Sequence, residues 1–193
     1  MHKQVDEAVQ VLNRGGIIIF PTDTAFGIGC RMDNQEAVEK LFKIRNRPAT
    51  QPTPVLVSDL EMAQAYVKEI PEDVIRNLIK PFWPGVLTII LKANLDRVPL
   101  LVRGGTETVG VRMPNNPIIG ELIDKVGVPV LGPSANFHGT NTPYELKDLD
   151  PKLIALVDYV LEGQCSVKQV STVIDCTQTP WKVLRQGAVS VKI

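Results

Sequence analysis

The sequence lacks the marks of several large protein classes. It contains only three cysteines, Cys30, Cys165 and Cys176, and no C-x-x-C pair. That excludes a disulfide framework and argues against a structural zinc site. Buried free thiols in a reducing, cytoplasmic setting are expected instead. Histidine is nearly absent: His2 sits at a terminus and His138 in the loop-like stretch "NFHGT". No Ser/His/Asp or Cys/His arrangement and no metal-ligating cluster can be read, so covalent catalysis is not expected. No G-x-x-x-x-G-K-[ST] occurs, which removes the P-loop proteins. "GIGCRM" is a fragment of G-x-G-x-x-G with Met32 in place of the third glycine. Aromatic residues make up 5% of the chain, leaving an aliphatic core and little for stacking nucleic-acid bases. Lys plus Arg and Asp plus Glu both number 21, so no net charge draws the chain to nucleic acid or membrane. Any anion site must be local. No apolar run approaches the ~20 residues of a membrane span, and "MHKQVDEAVQVLNRGG" has no signal-peptide core.

What is present is an alternation of helices and strands over 193 residues, 44% of them hydrophobic. Val5, Ala8, Val9, Val11 and Leu12 mark one helix face, stopped by Gly15-Gly16. A strand follows at Ile17–Phe20. Asn34 is the expected N-cap of a helix that stops near Asn46, ahead of Pro48. Pro54–Ser58 reads as a strand, "LEMAQAYVK" and "EDVIRNLIK" as helices, and "VLTIILK" and "TVGVRM" as strands. "NPIIGELIDKVG" reads as a helix and "VPVLGP" as a strand. The tail contributes "LVDYVLE", "STVIDC", "KVLRQG" and "AVSVKI". The pattern predicts an α/β fold over residues 1–193, a single domain with an open, mixed, twisted sheet and flanking helices.

Small hydroxyls and arginines recur where these strands begin or end. Thr22, Asp23 and Thr24 follow the first strand. Thr108 and Arg112 lie in "TVGVRMP", Ser134 and Asn136 in "PSAN", Ser171 and Thr172 in "STVID", and Arg185 in "LRQG". Converging strand ends would make a cleft lined with hydroxyls, backbone amides and guanidinium groups. Such groups bind phosphate and carboxylate. The basic run "KIRNRP" carries Lys43, Arg45 and Arg47. It reads either as a solvated helix end or, with the following "ATQPTP", as a lid over a polyphosphate. Thr22, Asp23 and Asn136 also read as turn formers.

Together, "FPTDTAFGIG", "RNRP", "TVGVRMP", "PSAN", "STVID" and "LRQG" occur in the order found in the YrdC/Sua5 family, which the chain resembles from about Gly16 to Gly187. The resemblance is to the short, single-domain YrdC (TsaC) form. It implies a YrdC-like sheet around a concave cavity and a nucleotidyltransferase activity: L-threonine, bicarbonate or CO₂ and ATP give threonylcarbamoyl-adenylate and pyrophosphate. The product would pass to downstream t6A-transfer proteins for N6-threonylcarbamoyladenosine modification of tRNA, with direct tRNA contact as a possibility. By the same resemblance, Thr24, Arg112, Gly132 and Ser171 meet threonine. Arg47, Gln51, Thr108, Ser134, Thr142 and Arg185 meet ATP. Arg45 and Arg47 act electrostatically in catalysis, with Arg45 standing where the family commonly has lysine and Lys43 able to share its role. Mg²⁺ is expected to be held by phosphate and water, with no protein side chain as ligand. The alternatives are an enzyme forming carbamoyl-adenylate from carbamoyl phosphate, and a non-catalytic nucleotide- or RNA-binding module.

Overall fold

The computed structural model describes residues 2–191. Helix α1 (His2–Asn13) buries Val5, Ala8, Val11 and Leu12 along one face. It stops where Gly15 turns to φ +81° and the amides of Gly15 and Gly16 return to the carbonyls of Leu12 and Val11. Glycine takes that left-handed conformation without steric penalty. Strand β1 (Ile18–Pro21) pairs antiparallel with β2 (Phe26–Gly29).

The apolar run that feeds β1 is explained by burial on both faces. Ile17 and Ile19 enter one core, with Phe26, Leu41 and Val55. Ile18 and Phe20 enter a second, with α1 residues and Ile119 and Leu122. Side chains alternate along a strand, so each core receives every second residue. Helix α2 (Gln35–Ile44) is capped by the Asn34 side chain, which accepts from the Ala37 amide. Asn46 adopts φ 51° just past its end.

Strand β3 (Val55–Leu56) and helix α3 (Leu60–Tyr66) follow. Helix α4 (Glu72–Val74) continues through a π-helical stretch, Ile75–Ile79, into α5 (Lys80–Phe82). The remaining elements are β4 (Leu87–Lys92), β5 (Thr108–Arg112), α6 (Pro117–Val126), β6 (Val130–Leu131), α7 (Pro151–Ile154), β7 (Tyr159–Val160), β8 (Thr172–Asp175) and β9 (Lys182–Arg185). The mixed α/β character is as expected, but the strands divide between two sheets, β2-β1-β7 and β6-β3-β5-β4-β8-β9. Both mix parallel and antiparallel pairs.

A strip of backbone contacts joins the sheets. Ile28 donates to the Pro133 carbonyl, Ala135 to Phe26 and Leu131 to Cys30, at 2.8–3.0 Å. The turn after β1 therefore lies beside the segment after β6. One stretch departs from expectation: Ala188 to Val191 form no strand. Instead the Thr172 hydroxyl donates to the Val189 carbonyl and the Ala188 amide to the Val170 carbonyl. Lys192 and Ile193 lie outside the described residues. Among the described residues, no helix is long and apolar enough to cross a membrane.

Candidate active site

The sheet register sets the site. Leu87 at the start of β4 pairs with Thr172 at the start of β8, and β5 and β9 run antiparallel to these strands. Thr88, Arg112, Ser171 and Arg185 therefore share one edge. The β1–β2 turn and the Gly132–Ser134 segment close the other wall. The resulting cavity is lined by Thr22, Thr24, Arg45, Arg47, Thr88, Arg112, Gly132, Ser134, Thr142, Ser171 and Arg185, among others.

Arg112 is the buried centre of one half. Its Nε donates to the Gly85 carbonyl at 3.0 Å and its Nη1 to Thr24 Oγ1 at 2.8 Å. Its Nη2 forms an ion pair with Asp23 Oδ1. Each terminal nitrogen carries a second N–H, so one donor on Nη1 and one on Nη2 stay open. Burial lowers the basicity of Arg112, and Asp23 opposes that shift.

Thr22 holds the turn that carries Thr24. The Thr22 hydroxyl donates to the Ala25 carbonyl at 2.7 Å and accepts from the Thr24 and Ala25 amides. Its one hydrogen and both its lone pairs are thus engaged, and Thr24 Oγ1 lies 3.0 Å away with its own hydrogen uncommitted. Thr24 already accepts from Arg112. It can still offer a ligand its hydrogen and its second lone pair, for a carboxylate oxygen or an amine.

The other half holds three cations. Arg185 Nε donates to the Ser171 carbonyl and its Nη2 to Ser171 Oγ, both at 2.9 Å. Ser171 Oγ also meets Thr88 Oγ1 at 2.9 Å. Arg47 is turned onto the lid loop, its Nε donating to the Gln51 carbonyl and its Nη2 to that of Pro52. Arg45 is 3% exposed. Its Nε and Nη2 donate to the main-chain and side-chain oxygens of Asn136. Its buried Nη1 has no partner among the described residues. A buried donor left open beside a cavity is what an incoming anion oxygen would satisfy. Burial, with Arg47 adding repulsion, brings Arg45 down to about 10, so it stays charged at neutral pH. Burial also lowers Arg47 and Arg185. Among the described residues, none of these three arginines has a carboxylate within 4.0 Å, whereas Arg112 does.

Most of the residues singled out in the sequence are brought together here: Thr24, Arg45, Arg47, Arg112, Gly132, Ser134, Thr142, Ser171 and Arg185. Gln51 does not line the cavity; its carbonyl steadies Arg47 instead. Thr108 is not brought there either. It pairs with Lys92 at the far end of β5, while Arg112 occupies the cavity end. Four residue steps along the strand separate the two, about 13 Å. Lys43 is exposed on α2 and does not reach the lining. Thr88 was hidden inside an apolar strand motif. A 4%-exposed hydroxyl in such a strand is itself a signal, because buried polar groups need partners.

Fold and cavity together define a mixed α/β protein with an arginine-lined cleft. The family model Sua5_yciO_yrdC, described as telomere recombination, matches residues 10–187. The chain belongs to the Sua5/YciO/YrdC family. It is 33% identical to the Bacillus subtilis threonylcarbamoyl-AMP synthase over 97% of the chain and 54% of that protein. The crystal structure of P. abyssi Sua5 complexed with L-threonine matches at a TM-score of 0.90 and 33% identity, over 95% of this chain and 54% of that one. The E. coli YciO crystal structure matches at 0.89 and 28% identity, over 100% and 93%. The chain thus spans about half the length of the Bacillus and P. abyssi relatives.

Proposed function

We propose that this chain is a nucleotidyltransferase that forms threonylcarbamoyl-adenylate from L-threonine, bicarbonate or CO₂ and ATP, releasing pyrophosphate, for tRNA modification. The observation that carries the proposal is the two-part cavity. One half offers a fixed guanidinium with open N–H groups beside the Thr24 hydroxyl. That pattern is complementary to an amino acid's carboxylate and amine. The other half offers three arginines without acidic partners among the described residues, suited to a triphosphate. That the P. abyssi relative was solved complexed with L-threonine supports threonine as the amino acid.

In this reading, Arg112 holds the threonine carboxylate through its open N–H groups, and Thr24 orients the amine. The neutral amine nitrogen attacks the carbon of CO₂ and passes a proton to solvent water, giving a carbamate. A carbamate oxygen then attacks the α-phosphorus, and the bond from that phosphorus to the pyrophosphate oxygen breaks. The chain supplies positioning and charge complementarity rather than a nucleophile. Arg45, Arg47 and Arg185 face the charge that collects on the leaving pyrophosphate. Among the described residues no three His, Cys, Asp or Glu side chains converge. Mg²⁺ would accordingly arrive with ATP, held by phosphate oxygens and water, and neutralise phosphate charge.

The test is pyrophosphate release with ATP, Mg²⁺ and bicarbonate, with L-threonine, with L-serine, and with no amino acid. Release that requires L-threonine is expected. Release indifferent to the amino acid would contradict the reading.

A further inference from the structure

Asp23 is the one carboxylate bound to a cavity arginine among the described residues, and it does not line the cavity itself. It stands behind Arg112, 2% exposed. Its Oδ2 accepts from the Asn115 amide at 3.2 Å, and its carbonyl accepts from the Val167 amide at 2.8 Å. With Arg112 on Oδ1 and the Asn115 amide on Oδ2, the carboxylate is fixed from two sides and cannot swing out to meet a ligand. Thr24 and the Gly85 carbonyl fix Arg112 in turn.

We propose that Asp23 is a positioning residue that sorts the two anions of the reaction by charge, reserving Arg112 for a monocarboxylate and directing the polyphosphate to Arg45, Arg47 and Arg185. This deepens the proposed function and rests on its division of the cavity into an amino-acid half and a phosphate half. Both anions enter one cavity, and a guanidinium by itself binds phosphate as readily as carboxylate. Asp23 removes that ambiguity. The Asp23–Arg112 pair carries no net charge, so it binds an anion through directional N–H groups and not through a net field. A single carboxylate can use the two open N–H groups. A triphosphate placed there would bring several negative charges up to a buried carboxylate, and like charges brought together cost several-fold in affinity or more. Arg45, Arg47 and Arg185 impose no such penalty. A neighbouring cation supports the same division: Arg185 is close enough to Arg112 to lower its basicity, so the halves adjoin and need a means of separation.

The test follows arginine Nε–H resonances of the full chain by NMR while inorganic triphosphate is added without nucleotide or threonine. In the wild type, Arg185 and Arg47 are expected to shift and Arg112 to stay still. In Asp23→Asn, which keeps the side-chain size but removes the charge and turns one acceptor oxygen into a donor, Arg112 is expected to respond with apparent affinity raised about tenfold. Asp23→Glu, which restores the charge, should bring back the wild-type pattern. The proposal is overturned if Arg112 moves together with Arg185 in the wild type, if no arginine responds, or if Asp23→Asn leaves Arg112 unresponsive. A purely structural role for Asp23 would not make Arg112 selective between anions. Should Asp23→Asn fail to fold, the wild-type titration still decides. No step depends on turnover, so failure of the pyrophosphate assay and failure of this titration are separate results.

Discussion

Asp23 and Arg112, 89 residues apart in sequence, form an ion pair whose side chains are 2% and 7% exposed. Removing one partner strands the other charge in a low-dielectric interior. Arg112→Ala should destabilise the fold by about 3–5 kcal/mol. The double variant Asp23→Ala/Arg112→Ala should recover part of that loss, because it leaves no buried charge. Chemical denaturation of Asp23→Ala, Arg112→Ala and the double variant gives the coupling. A double variant as unstable as the sum of the two singles would contradict a direct interaction.

Arg112→Lys separates charge from geometry. It keeps a cation opposite Asp23 but loses the planar fork. Under the proposed function, the threonine KM should rise about 10- to 100-fold, the worth of one or two charge-assisted hydrogen bonds. The ATP KM should stay within about twofold. Steady-state pyrophosphate release measures both, and a defect confined to ATP would overturn the assignment of Arg112 to the amino acid.

Ser171 joins Arg185 to Thr88. Ser171→Ala leaves Arg185 anchored only through its Nε contact with the Ser171 carbonyl, and leaves the Thr88 hydroxyl without its partner. A loss of about 1–2 kcal/mol in transition-state binding is expected, roughly a 10-fold drop in kcat/KM. Thr88→Val should move kcat/KM in the same direction. If neither variant changes it, the hydroxyl chain has no part in the reaction.

Two glycines should respond oppositely to alanine. A Cβ on Gly29 would run into the Leu131 carbonyl oxygen in the strip that joins the sheets. Gly29→Ala should cost about 3 kcal/mol or more. Gly120 lies within α6 with nothing within 4 Å of its would-be Cβ. Gly120→Ala should stabilise by about 0.8–1 kcal/mol through helix propensity. Thermal melts of the two variants are the check, and shifts of the same sign would contradict the packing described.

All three cysteines are buried and free. Burial raises the Cys30 and Cys176 thiols from 9.0 to about 12. They stay protonated near pH 8, so iodoacetamide should label the native protein negligibly and the unfolded protein fully. Because these folded-state values lie above the unfolded ones, their contribution to stability is intact below pH 9 and is lost as pH climbs toward 12. Rapid native labelling at pH 8 would contradict this.

The sequence exposed what is local. Asn34, the Gly15-Gly16 stop and the twice-buried strand around Ile18 all follow from nearest-neighbour patterns. Motif order also located most of the cavity lining. What it could not supply was register and long-range pairing. Thr108 and Arg112 share a motif, yet the strand carries one away from the cavity that receives the other. Asp23 looks like a turn residue until the fold delivers Arg112 to it. Arg45 lies in a charged run that reads either as a solvated helix end or as part of a lid, and only the fold shows the Asn136 loop burying it. The division into two sheets was likewise illegible, because it depends on which strand meets β2 across the chain.

The most direct test of the account supplies radiolabelled bicarbonate together with ATP, Mg²⁺ and L-threonine, and follows the label by chromatography. The account predicts a labelled nucleotide adduct that forms only with L-threonine present and is lost in Arg112→Lys. ATP consumption with no label in any nucleotide species, or a labelled adduct formed without threonine, would contradict it.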